Sequence, residues 1–120
     1  LSNKSIISIY KNTKDKRIIV FDKNYPSSEL ISELPEVFFV VYPRETDNSW
    51  GVKAVRNDSK SFKNRKDLPK LWTGLRDKEL QKISGVSDAV FCHRNLFMAV
   101  AKSKEGAIKL ANLALLEPKS

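Results

Sequence analysis

The chain is short of the residues from which most catalytic centres are built. In 120 residues it has one cysteine, Cys92, and one histidine, His93. A single cysteine excludes an internal disulfide and a zinc site of the usual kind, and it fits a reducing, cytoplasmic setting. With a single histidine there is no Asp–His cluster, and no Ser–His–Asp constellation, glycine-rich phosphate loop or paired-carboxylate motif is visible in the sequence. Asp77 and Glu79 stand two apart on a predicted helix, so they point in different directions. These absences argue against a stand-alone hydrolase. The longest apolar run, residues 37–42, is far below the roughly 20 residues that cross a bilayer, which leaves no membrane partner. The start, Leu1-Ser2-Asn3-Lys4, lacks a leader pattern and an initiator Met, and it reads as a cut end.

What the chain does have is a folding composition and a strong positive charge. Apolar residues make 41% and charged residues 30%, which suits one folded domain with its own core. The formal net charge is +8, which favours polyanionic partners such as nucleic acid or nucleotide phosphates, unless it is only a lysine-rich surface. The charge is concentrated. Between residues 53 and 82 ten bases (Lys53, Arg56, Lys60, Lys63, Arg65, Lys66, Lys70, Arg76, Lys78, Lys82) face four acids (Asp58, Asp67, Asp77, Glu79), leaving +6 of the total +8. Phe62 and Trp72 lie within that stretch. Cations that bind phosphates, interleaved with rings that stack on bases, are the pattern of single-strand binders. The alternative is a solvated loop pinned to the core by its two rings.

Periodicity predicts an α+β domain. Residues 6–10 and 17–22 are β-branched runs that could pair as a hairpin, with residues 1–16 a strand or linker leading into a domain over 17–120. Ser27 or Ser28 caps a short helix that Pro35 stops. Residues 36–42 form a central strand ending at Pro43. Residues 49–56 return antiparallel with Trp50, Val52, Ala54 and Arg56 on one side and Gly51, Lys53 and Val55 on the other. Residues 57–72 form a long loop. A helix follows from Thr73 as cap through Gly74 to Ser84, with Leu75, Leu80 and Ile83 inward and Gly85 as C-cap. Residues 89–93 and 96–102 are a hairpin about Arg94-Asn95. Ser103 caps a last helix with a wide apolar stripe, and Pro118 closes it. The sum is five or six strands, largely antiparallel or mixed, covered by two main helices.

Three further positions invite chemistry. The Lys102–Gly106 stretch opens the last helix, whose N–H groups can hold a phosphate if Gly106 admits one; an ordinary cap is the other reading. His93, beside Arg94 at a strand tip, can bind phosphate, act as a general acid, or serve only as a hydrogen-bonded structural residue. Cys92, facing inward on the same strand, reads as a buried small hydrophobe.

Several ordered blocks together resemble the melanocyte-proliferating-gene family. Phe38-Phe39-Val40-Val41-Tyr42-Pro43 and Ser49-Trp50-Gly51-Val52-Lys53-Ala54-Val55 are similar to its strand pair. Ser61-Phe62-Lys63-Asn64-Arg65-Lys66-Asp67-Leu68-Pro69 resembles its Ser-Phe loop, and Leu71-Trp72-Thr73-Gly74-Leu75-Arg76-Asp77-Lys78-Glu79-Leu80 its Trp-x-Gly-Leu-Arg-Asp signature. Ser84-Gly85-Val86, Phe91-Cys92-His93 and Lys104-Glu105-Gly106-Ala107 complete the set. The family resembles DHH-type metal-dependent phosphoesterases associated with 3′-to-5′ RNA exonuclease activity. The resemblance therefore implies a substrate-binding C-terminal domain that is not catalytic alone. No cofactor is expected within it, and a manganese-like divalent metal belongs to a separate N-terminal catalytic domain. It implies nucleic acid or nucleotide phosphates, the catalytic domain and a second copy as partners. It points to Arg65, Trp72, Arg76, His93, Arg94 and Lys104 as substrate contacts, with Trp72 stacking on a base or packing its loop. A docking or dimerisation module is the alternative, signalled by exposure of Leu71, Trp72 and Leu75. One block departs: where many eukaryotic members read Gly-Phe-Ile-Gly-Gly, this chain reads Leu96-Phe97-Met98-Ala99-Val100, which weakens a backbone phosphate cradle there.

Overall fold

The computed structural model describes residues 2–24, 28–56 and 63–117; Ser27, residues 57–62 and Pro118 lie outside the described residues. The elements run α1 (Ser2–Asn12), β1 (Ile18–Val20), α2 (Ser28–Ser32), β2 (Phe39–Arg44), β3 (Ser49–Ala54), a 3-10 turn (Lys70–Trp72), α3 (Asp77–Ser84), β4 (Ala89–Cys92), β5 (Met98–Ala101) and α4 (Lys104–Leu116). Among the described residues five strands form one sheet in the order β1-β2-β3-β5-β4. β1 runs parallel to β2 and the other pairings are antiparallel. The α+β class with a mixed five-stranded sheet is as expected.

Strand alternation divides the sheet into two faces. On the first, Phe39, Val41, Val52, Ala54, Ala99 and Ala101 point toward α4, α3 and the 3-10 turn. The match is made from small residues: Ala99 and Ala101 on β5 meet Ala107, Ala111 and Ala114 on α4, all buried, so helix and sheet approach closely. On the second face Ile19, Val40 and Tyr42 meet Ile6, Ile31 and Val37. Full burial of each large side chain in these clusters favours the fold by about 1.5–3 kcal/mol. That second cluster lies over β1 and β2. Over β3, β5 and β4 none of the described helices packs a core residue on the second face.

Four local expectations are corrected. Residues 6–10 are helical, not a strand paired with 17–22. Ile6, Ile9 and Tyr10 recur at helical spacing, and Ile6 is fully buried against the sheet, so residues 2–12 carry a third substantial helix in place of a strand or linker. β2 does not stop at Pro43 but runs on to Arg44. Proline is tolerated because β1 ends opposite Val41, so the position that lacks an N–H faces no strand. The third helix begins at Asp77, with Arg76 as its cap, not at Gly74. Residues 75 and 76 instead pair with the edge of β4: the Cys92 N–H donates to the Leu75 carbonyl at 2.9 Å, and Arg76 bridges Phe91. Ile83 is half exposed, and the inward side of that region is supplied by Leu80 and Val86. Gly85 does end the helix, in the left-handed conformation at φ 76°.

Candidate nucleic-acid interface

The signature segment reaches the sheet through a series of turns. Trp72 closes the 3-10 turn, its N–H donating to the Pro69 carbonyl at 3.0 Å, and its ring is 3% exposed within the core. Gly74 then takes φ 66°, which glycine adopts without strain. Leu75 and Arg76 extend along β4, and Asp77, at φ 47°, turns the chain into α3; aspartate is among the residues that tolerate this region. Arg76 is held by its backbone while its exposed guanidinium lies 5.2 Å from the centre of the Phe91 ring.

The β4–β5 turn stands beside it. The His93 N–H donates to the Met98 carbonyl and the Leu96 N–H to the His93 carbonyl, both at 2.9 Å. Leu96 occupies the left-handed region at φ 61°, an unusual place for a bulky side chain. The Leu68 N–H, donating to the Leu96 carbonyl at 3.0 Å, fastens that turn to the preceding loop. The Asn95 N–H donates to His93 Nδ1 at 3.0 Å, which leaves Nε2 as the ring's donor nitrogen. The His93 and Phe97 rings sit 4.5 Å apart at 57°. Arg94 is exposed and borders Gly74, where an added Cβ would lie 3.8 Å from the Arg94 Cβ. Arg76, His93 and Arg94 thus form one rim. Residues 49–56 and 89–102, which build the adjoining sheet, contain no Asp or Glu.

The other predicted contacts lie elsewhere. Arg65 Nη1 donates to the carbonyls of Leu34 (2.6 Å) and Val37 (2.7 Å), and Nη2 to that of Ser32 (2.5 Å). Its guanidinium clasps the end of α2 rather than facing an open cleft, and partial burial lowers its pKa. Trp72 packs its loop and leaves no ring face for a base. Lys104 lies at the far end of β5, 6.0 Å over the Trp50 ring. The anion place at the start of α4 is already filled. The Ser103 N–H and Oγ–H donate to Asp88 Oδ2 at 2.8 and 2.5 Å, and the Gly106 N–H donates to Ser103 Oγ at 3.0 Å. A Cβ on Gly106 would lie 2.2 Å from Asp88 Oδ1, so this glycine makes room for the chain's own carboxylate, and the ordinary cap is the reading that holds. Lys66 caps the opposite end of α4 by donating to the carbonyls of Leu115 and Glu117.

Cys92 is buried, and burial pushes its thiol up to about 12. Among the described residues no three His, Cys, Asp or Glu side chains gather into a metal-ligand group. No described helix is long and apolar enough to cross a membrane. Sequence reasoning missed Phe91 and Phe97 as members of the rim. The period-two alternation Phe91–His93 about a hairpin was the signal that could have found the first of them.

The fold is that of an α+β domain with a mixed five-stranded sheet and a formal net charge of +8. The chain belongs to the MYG1 exonuclease family, described as an uncharacterised protein family (UPF0160), whose model matches residues 2–115. It is 33% identical to the human MYG1 exonuclease over 81 residues, covering 68% of this chain and 21% of the relative. It is 40% identical over 80 residues to MYG1 protein C27H6.8 of Caenorhabditis elegans, covering 66% and 24%. To MYG1 protein YER156C of Saccharomyces cerevisiae it is 36% identical over 109 residues, covering 85% and 32%. The chain therefore spans about a fifth to a third of the length of these relatives. No solved structure matches it.

Proposed function

We propose that this chain is the substrate-holding domain of a nuclease of this family, and that it grips nucleic-acid phosphates at the rim of the β4–β5 hairpin. The observation that carries the reading is the meeting of Arg76, Arg94 and the His93 Nε2–H at one rim beside strands that hold no acidic residue. Arginine forks bind phosphate by two parallel hydrogen bonds, and the imidazole Nε2–H adds a further donor. Arg65, Trp72 and Lys104, whose groups are engaged or distant, are left out of the grip. Hydrolysis belongs to a DHH-like part of the protein beyond this chain, using a manganese-like divalent metal. The names of the human and mouse relatives as exonucleases support a nuclease family. The described residues offer no ligand set for that metal, so no step of the reaction is placed on them.

Fluorescence anisotropy with a labelled single-stranded RNA at low salt tests the grip. Arg76→Ala and Arg94→Ala are each expected to weaken binding several-fold while Lys104→Ala leaves it within twofold. Equal losses from all three, or no binding by the native chain, contradict the reading. One observation favours docking as a second role: Leu71 is 71% exposed, whereas Trp72 and Leu75 are largely covered. A concentration-dependent dimer abolished by Leu71→Ser supports docking of a second copy through this residue; a monomer at all concentrations counts against it.

A further inference from the structure

We infer that the half of the second sheet face over β3, β5 and β4, which none of the described helices covers, is a platform on which unpaired nucleobases stack. The inference rests on the reading of the neighbouring rim as a phosphate grip, and extends it from phosphates to bases.

The face is laid out in two rows by the strand register. Lys53 on β3 pairs with Met98 on β5, and His93 donates its N–H to the Met98 carbonyl, giving one row across three strands. Gly51 pairs with Val100, Val100 with Phe91, and Phe91 with Arg76, giving the next. The rows are two residues apart along each strand, about 6.8 Å. The floor between them is closed. Val100 is fully buried, and the Tyr42 ring lies across Gly51, where a Cβ would meet Tyr42 Cζ at 2.5 Å. Only glycine lets that ring lie flat on the sheet. Above this floor stand Phe91, Met98 and the His93–Phe97 ring pair, partly exposed, with Lys53 and Arg76 beside them.

The chemistry selects the occupant. The surface is not the unbroken apolar stripe that a partner helix would cover, because cations interrupt it and no acid on these strands balances them. A polyanion with flat apolar faces satisfies both features: phosphates meet Lys53, Arg76 and Arg94 while bases meet rings. Bases inside a duplex are stacked on one another and cannot reach a ring, so the platform selects unpaired strands.

Three labelled probes of equal length separate this inference from the grip itself: a single-stranded RNA heptamer, its duplex, and an abasic ribose-phosphate strand. The platform predicts that the heptamer binds at least fivefold more tightly than the abasic strand, within the range that one stacked base contributes. It also predicts that Phe91→Leu removes most of that difference. A 2-aminopurine placed in the heptamer should be quenched on binding the native chain, a readout that stands even if Phe91→Leu fails to fold. Equal affinity for heptamer and abasic strand, or unquenched 2-aminopurine in the bound state, overturns the platform and leaves the grip standing. No binding of any probe at low salt overturns both.

Discussion

A guanidinium offers the same fork of donors to a phosphate and to a set of carbonyls, and its surroundings decide which it meets. Arg65 meets carbonyls, those of Ser32, Leu34 and Val37, whereas Arg76 extends from a strand edge into solvent. Both sit in motif blocks, and nothing in their local sequence separates them; the difference arises from contacts about 30 residues away along the chain. Removing the Arg65 side chain leaves three carbonyls to be re-solvated. Arg65→Ala should lower stability by about 2–4 kcal/mol in urea unfolding, with Arg65→Lys recovering little because a single ammonium cannot span the set. An unchanged midpoint would show that the clasp contributes nothing. Cys92 gives a second residue-scale test. Its folded pKa is raised by burial from 9.0 to about 12, so the folded state holds its proton more tightly than the unfolded state. That contribution to stability is present below about pH 9 and is lost as pH rises from there toward 12. At pH 8 the native thiol should react with a disulfide reagent at least tenfold more slowly than in 6 M urea, and comparable rates would contradict the buried assignment.

At the scale of elements, the strands were legible because alternation and β-branched content state them directly: Val52 and Ala54 face the core and Lys53 does not. The first helix was misread because Ile6, Ile7 and Ile9 carry high strand propensity. The competing signal, Ile6 with Ile9 and Tyr10 at helical spacing, prevails because burial of Ile6 outweighs local preference. The start of α3 was misplaced because the pull on residues 75 and 76 comes from the exposed edge of β4, which no local pattern reveals. The last helix was placed correctly, yet the role of its glycine was settled only by Asp88, a residue 18 positions upstream whose carboxylate fills the space a Cβ would take. Gly106→Ala should cost about 1–3 kcal/mol by that clash. In an Asp88→Ala background the same change should cost markedly less, since alanine helps a helix once the clash is gone. Additive costs in the double-mutant cycle would refute the explanation. Neither change should alter RNA affinity beyond twofold, because the start of α4 is no part of the grip.

For the whole molecule, the asymmetry of coverage matters most. One face of the sheet is sealed by α3 and α4; the other is sealed by α1 and α2 over β1 and β2 and left uncovered by described helices over the remaining strands. The basic excess, which includes Arg76, was legible in the sequence, and His93 and Arg94 were legible as a strand tip and through the family resemblance. Their convergence was not legible, since it requires β4 and the segment before α3 to lie side by side. The salt dependence of RNA binding tests that convergence most directly. Each phosphate contact on a single strand steepens the plot of log affinity against log salt by about 0.7. A grip by Arg76 and Arg94, with Lys53 beside it, predicts a slope near −2 for the native chain. Arg76→Ala should make it shallower by about one contact, and Lys104→Ala should leave it unchanged. A flat plot, or a slope that responds to Lys104 and not to Arg76, would contradict the account.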